Sequence, residues 1–183
     1  MNEQIAIHKL KNQDISGLEF LVMRYQVKAI RVAYLITRDS TVAEDIVQDA
    51  FIQVFHAISR FDDSRPFEPW FMRIVVNASI KAAEKSSKQI NFVDEAEAFF
   101  EELISSIEST EEQIISLEKQ NQIWEAMQRL SPRQRAVIVQ KYFLEMSEKE
   151  MAQESGAAIG TIKWLLNSAR QKLRSILSER NEK

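Results

Sequence analysis

Apolar residues recur every three or four positions along most of this chain, the spacing of helices that each bury one face. The pattern predicts helices over residues 2–11 and 14–37, the second with Leu18, Leu21, Val22, Tyr25, Ile30, Ala33 and Tyr34 close to one stripe and Asp14 as its cap. Thr37 to Ser40 break the period. A third helix, capped by Ser40 or Thr41, runs to about Ser59 with Val42, Ile46, Val47, Ala50, Phe51, Val54 and Phe55 inward. Asp62, Asp63, Ser64 and Pro66 then make a loop, and Pro69 suits the first turn of the next helix. After residue 90, Phe99, Phe100, Leu103, Ile104 and Ile107 have the spacing of a short amphipathic helix. From about Glu112 a helix passes through Ile115, Leu117, Ile123, Trp124, Met127 and Leu130. Ser131 with Pro132 starts another, carrying Ala136, Val137, Ile138, Tyr142, Phe143 and Leu144.

The last stretch carries the sharpest pattern. Ser147 and Glu150 form a capping box, Met151 and Ala152 point inward, and Gly156 can take the left-handed conformation that stops a helix. Ile159, Ile162, Leu165 and Leu166 follow at helical spacing, so two helices meet at a tight turn: a helix-turn-helix. In such a unit the second helix, here about Ala158 to Leu177, enters the DNA major groove, and Lys163 and Arg170 face phosphate or base. A plain helical hairpin satisfies the same apolar spacing, so both readings stand at this level.

Two further faces bear chemistry. Glu44, Asp45, Gln48, Asp49 and Gln53 lie opposite the apolar side of the third helix, either as a solvated acidic face or as a docking surface for a basic helix. Trp70, Arg73, Asn77 and Lys81 stand three or four apart and share a face. Aromatic, basic and amide groups in one line can stack on unpaired bases and hold a backbone. Trp70 can equally be a core anchor.

Composition narrows the fold class. Three glycines and three prolines in 183 residues are too few for a chain of many tight β-turns, so an all-α fold is expected. There is no cysteine, which removes disulfides and thiolate metal sites. The first residues lack the pattern of a signal peptide and no apolar run approaches spanning length, so a cytoplasmic protein without membrane insertion is expected. The net charge of −3 divides unevenly: +1 over residues 1–89, −8 over 90–120 and +4 over 121–183. The expectation is two small helical domains, 1–89 and 112–183, joined by an acidic linker at 90–111, the C-terminal one containing the helix-turn-helix. His8 and His56 are the two histidines, and no HExxH, phosphate loop or serine–histidine pair accompanies them. No catalytic residue, metal or cofactor is therefore expected.

In order, AEDIVQDAFIQVF, RFDDSRPFEPWFMRIVVNASI and LSPRQRAVIVQKYFLEMSEKEMAQESGAAIGTIKWLLNSARQKL resemble the extracytoplasmic-function (ECF) group of bacterial RNA polymerase sigma factors, members of the sigma-70 superfamily. The resemblance covers roughly residues 14–86 and 112–178. It implies a non-enzymatic subunit that binds core RNA polymerase, recognises and melts promoter DNA and directs initiation. Carried onto this chain, Glu44, Asp45, Gln48, Asp49 and Gln53 dock on the β′ clamp helices. Phe61, Asp63, Ser64, Arg65, Trp70, Arg73, Asn77 and Lys81 serve the minus-ten element, with Phe61, Arg65, Trp70, Arg73 and Asn77 in melting or core support. Arg133, Thr161, Lys163, Trp164, Asn167 and Arg170 serve the minus-thirty-five element, and this domain rests on the β flap. The linker threads the RNA exit path, where its charge can imitate nucleic acid. An anti-sigma protein that covers the core-binding surfaces is implied as a further partner.

The chain departs from the family at two places. Members commonly carry a Ser-Arg pair after the GT(V/I)K motif and further arginine ahead of the Ala-Arg pair, where this chain has Trp164, Leu165 and Ser168. A bidentate base contact supplies about 1 to 3 kcal/mol of discrimination, so these changes weaken or redirect upstream recognition. The basic run Lys81, Lys85 and Lys88 is also thin. Two other functions use part of the same pattern: a stand-alone helix-turn-helix regulator, which leaves residues 41–81 idle, and a sigma-like protein that titrates polymerase without binding promoters.

Overall fold

The computed structural model describes residues 1–86 and 122–181, and among these every regular element is a helix. The chain divides into two compact units, Met1–Lys85 and Ser86–Lys183. The 90–111 linker, the helix expected around Phe99 to Ile107, and Ile115 and Leu117 lie outside the described residues.

In the first unit, α1 (Glu3–Lys11) opens under the Asn2 side chain, which accepts the Ile5 amide at 2.9 Å. A turn with Gln13 at φ 65° leads into α2 (Ser16–Thr37). Ile15 occupies the formal cap position without a side-chain bond; Asp14, one residue earlier, accepts the Ser16 amide at 3.0 Å. Hydrogen bonds from the Ser16 hydroxyl and then its amide hold the Asp14 carboxyl below the usual range. The α1–α2 contact depends on Gly17, where a Cβ would stand 2.2 Å from the Ala6 carbonyl oxygen and 2.8 Å from the Leu10 nitrogen. Backbone therefore meets backbone there.

Helix α3 (Ser40–Ala57) corrects two expectations. Its cap is Asp39, accepting the Val42 amide at 2.9 Å, because Ser40 and Thr41 are already inside the first turn. Its buried face is Ala43, Ile46, Val47, Ala50, Phe51 and Val54. Phe55 faces outward instead, since the stripe centres on the Ala43–Val47–Ala50–Val54 row. A 3-10 turn, Ile58–Arg60, and the loop 61–66 lead to α4 (Phe67–Ser86), with Pro69 in its first turn as expected.

Aromatic packing joins α4 to its neighbours. Phe71 lies 4.6 Å from Phe51 and 6.1 Å from Tyr25, ring centroid to centroid, while Phe67 lies 5.5 Å from Tyr25. Burial, and secondarily its hydrogen bond to Glu3, pushes the Tyr25 phenol up to about 12. Lys28 of α2 pairs with Glu68 in the first turn of α4.

The second unit contains a helix over 122–128 (α5), α6 (Pro132–Tyr142), α7 (Glu148–Ser155) and α8 (Ile159–Asn181). Its core is assembled from Trp124, Ala126, Met127, Leu130, Ala136, Val137, Val139, Met151, Ile162, Leu166 and Ala169. Ile123, Tyr142, Phe143 and Ile159 were expected inside by periodicity, yet they are exposed. Arg135 is buried and donates to the Leu130 carbonyl at 2.7 Å, satisfying the turn between α5 and α6. Reciprocal capping boxes start α6 at Ser131 with Gln134 and α7 at Ser147 with Glu150. Gly156 ends α7 at φ 69° with no atom within 4 Å of its would-be Cβ, so its requirement is conformational.

Candidate functional site

Three exposed surfaces carry the residues singled out from the sequence. On α3, the periodicity that buries Ile46, Ala50 and Val54 turns Glu44, Asp45, Gln48, Asp49 and Gln53 to solvent. Ile52 stands among them, three residues after Asp49 and four after Gln48, and is 55% exposed. Phe55 and His56, with ring centroids 5.4 Å apart, border the same face. The surface is thus acidic with an apolar centre, a composition suited to a basic helix that also offers aliphatic stems. Phe55 was missed because its spacing reads as core, and Ile52 because an apolar residue on a polar face carries no signal of its own.

The second surface joins the loop after the 3-10 turn to the outer stripe of α4. Asp62 organises the loop: its Oδ1 accepts the Ser64 amide at 3.0 Å and the Ser64 hydroxyl at 2.7 Å, and its carbonyl accepts the Arg65 amide at 3.0 Å. The hydroxyl and then the amide of Ser64 hold the Asp62 carboxyl below its ordinary range. Asp63, Ser64 and Arg65 are exposed. Phe61 is buried, its ring 4.8 Å from Trp70 and 5.8 Å from Phe67, so of the two roles allowed for it, it occupies the position for core support. Trp70 is half-buried: one side rests on Phe61 and Phe67 and the remainder reaches solvent. Arg73, Asn77 and Lys81 continue from it as an exposed stripe.

The third surface is the outer side of α8. Lys163, Asn167 and Arg170 follow at four- and three-residue intervals, with Trp164 beside them at 66% exposure and Thr161 at the edge. Arg133 is exposed near the start of α6. Arg170 is held by Tyr142, whose hydroxyl accepts from its Nε at 2.9 Å while the guanidinium lies 5.7 Å from the ring centroid. Ser168, one of the departures from the family pattern, accepts from the Gln134 side chain at 2.9 Å and so ties α8 to the cap of α6. Among the described residues no group of three His, Asp or Glu side chains is placed to hold a metal ion, and no helix is long and apolar enough to cross a membrane.

Comparison with known proteins agrees with this arrangement. Residues 21–89 match the family model of sigma-70 region 2, and residues 120–173 match that of sigma-70 region 4. The chain is 29% identical over 180 residues to the ECF RNA polymerase sigma factor SigW of Bacillus subtilis, covering 94% of this chain and 95% of that protein. In fold it is similar to CnrH in its complex with the cytosolic domain of CnrY, with a TM-score of 0.67 at 22% identity over 97% of each chain. It is also similar to the sigma factor RpoE bound to the anti-sigma factor NepR from Bartonella quintana, with a TM-score of 0.62 at 20% identity over 87% of this chain and 96% of that one.

The chain belongs to the ECF group of the sigma-70 family. Its function is that of a sigma factor: with core RNA polymerase it recognises promoter DNA and directs transcription initiation.

Proposed function

We propose that the three surfaces divide this task. Residues 1–89 act as region 2. The acidic α3 face of Glu44, Asp45, Gln48, Asp49 and Gln53, with Ile52 at its centre, docks on the β′ clamp helices. The loop residues Asp63, Ser64 and Arg65, with Trp70, Arg73, Asn77 and Lys81, recognise the minus-ten element and hold an opened strand. Residues 112–183 act as region 4, resting on the β flap and reading the minus-thirty-five element with Arg133, Thr161, Lys163, Trp164, Asn167 and Arg170. Residues 90–111 link the two. The observation that carries this reading is the segregation of chemistry: carboxylates on α3, an aromatic and basic stripe on α4, and a basic, aromatic stripe on α8.

Opening and trapping a base costs a few kcal/mol of stacking and pairing, which stacking and phosphate contacts can offset without making a covalent bond. The proposed role needs neither enzymatic chemistry nor a cofactor, and its place is the cytoplasm. An anti-sigma protein that covers the core-binding surfaces is the expected regulator, and the similar sigma factor RpoE is bound to the anti-sigma factor NepR.

Capture of core polymerase by the full chain tests the docking surface. Replacing Asp45 and Asp49 together with Ala should lower capture about tenfold or more, since close charge pairs at an interface each contribute on the order of a kcal/mol upward. Undiminished capture contradicts the assignment.

A further inference from the structure

Helix α1 precedes the segment matched by the region 2 model, which begins at residue 21. It nevertheless reaches the DNA-facing loop. Lys11, in its last turn, donates from Nζ to the Phe61 carbonyl at 2.7 Å, 50 residues later in the chain, and pairs with Asp63 Oδ1 at 2.6 Å. The Lys11 side chain is only 23% exposed, whereas that of Asp63 is 53% exposed. These contacts lie at the entrance of the loop, where Phe61 anchors its ring against Trp70 and Phe67 while the next five residues turn outward.

Helix α1 is a firm base for such a tie. Ala6, Ile7 and Leu10 are buried, and the Gly17 contact leaves no room for α1 to approach α2 more closely. Asp62 is already committed to Ser64 and lies 3.5 Å from the Arg65 guanidinium. With Lys11 in place, both loop carboxylates have partners before an anionic strand arrives.

We infer that Lys11 is a positioning residue for promoter recognition: it fixes the Phe61 carbonyl and neutralises Asp63, so that Ser64 and Arg65 meet the minus-ten strand in a preset loop. This rests on the proposal that the loop reads that strand. The two contributions differ in weight. An ion pair with a half-exposed carboxylate is screened and weak, whereas a charge-assisted bond from a largely covered ammonium to a backbone carbonyl is stronger. Loop geometry is therefore the larger effect and charge neutralisation the smaller one.

The test uses full-length protein assembled with core polymerase, and fork-junction DNAs whose unpaired non-template strand is randomised across the minus-ten positions. The wild-type holoenzyme should enrich a defined subset. Lys11→Met should be captured by core as well as wild type, yet lose about tenfold of its preference at one or two positions. Lys11→Arg should recover most of that preference. Wild-type preference in Lys11→Met overturns the inference and leaves the loop's role standing. No enrichment by wild type overturns the loop's role and the inference with it. Loss of helix content and core capture in Lys11→Met makes Lys11 a fold residue and overturns its role in recognition.

Discussion

The two units of this protein reach order by different means. The first is built on interlocked rings, with Tyr25, Phe51, Phe61, Phe67, Trp70 and Phe71 linked in a chain of contacts behind the surface proposed to face DNA. The second has one aromatic residue in its described core, Trp124, and otherwise aliphatic, alanine and methionine packing. Its short helices are delimited by two capping boxes and a left-handed glycine. The difference fits the proposed tasks. Holding a strand open draws on binding energy that a yielding platform would dissipate in its own reordering, so a stiff core is useful there. Reading a closed duplex requires a helix presented at one angle, which caps and a tight turn supply.

The comparison can be broken by substitutions that act on one unit alone. The largest effect is expected from Phe71→Ala, which empties the centre of the ring cluster and should destabilise the first unit by about 3 to 5 kcal/mol. Region-resolved hydrogen exchange should show faster opening across α2 to α4 with α6 to α8 unchanged; equal acceleration in both units would mean that they do not order independently. A smaller effect is expected from Gly156→Ala. No atom crowds that position, so the cost is that of placing a Cβ at positive φ, about 1 to 2 kcal/mol, and Gly156→Asn should cost less. Exchange should quicken in α7 and α8 only.

How far the sequence disclosed this structure depended on whether a signal was local. The cap at Ser131, the capping box at Ser147, the stop at Gly156 and the proline in the first turn of α4 were legible because each acts over four residues or fewer. Helix faces were legible in their centres and misread at their edges. Phe55, Tyr142 and Ile159 have the right spacing for burial, but burial is decided by which helix crosses above them, and that is a tertiary fact. The cap of α3 was misplaced by one or two residues because Asp39, Ser40 and Thr41 are all competent caps.

The candidate surfaces divided in the same way. Exposed charged residues on α3, α4 and α8 followed from periodicity, and the sigma-factor resemblance supplied their meaning. Ile52 was missed as an apolar residue on an outward face. Lys11 and Tyr142 were missed because their nearest partners in sequence, Phe61 and Arg170, lie 50 and 28 residues away, a pairing no local pattern records. Ser168 read as the loss of a DNA contact; its bond to Gln134 gives it work inside the domain.

The proposed division of labour gives opened DNA to one unit and closed DNA to the other. It is tested most directly by measuring holoenzyme affinity for two probes, a fork junction carrying only an unpaired minus-ten strand and a duplex carrying the upstream element. Arg73→Ala with Asn77→Ala should weaken binding to the fork by about tenfold or more and leave the upstream contribution intact, whereas Lys163→Ala with Asn167→Ala should remove that contribution and spare the fork. If each pair of substitutions weakened both probes equally, the division of labour between the two units would be contradicted.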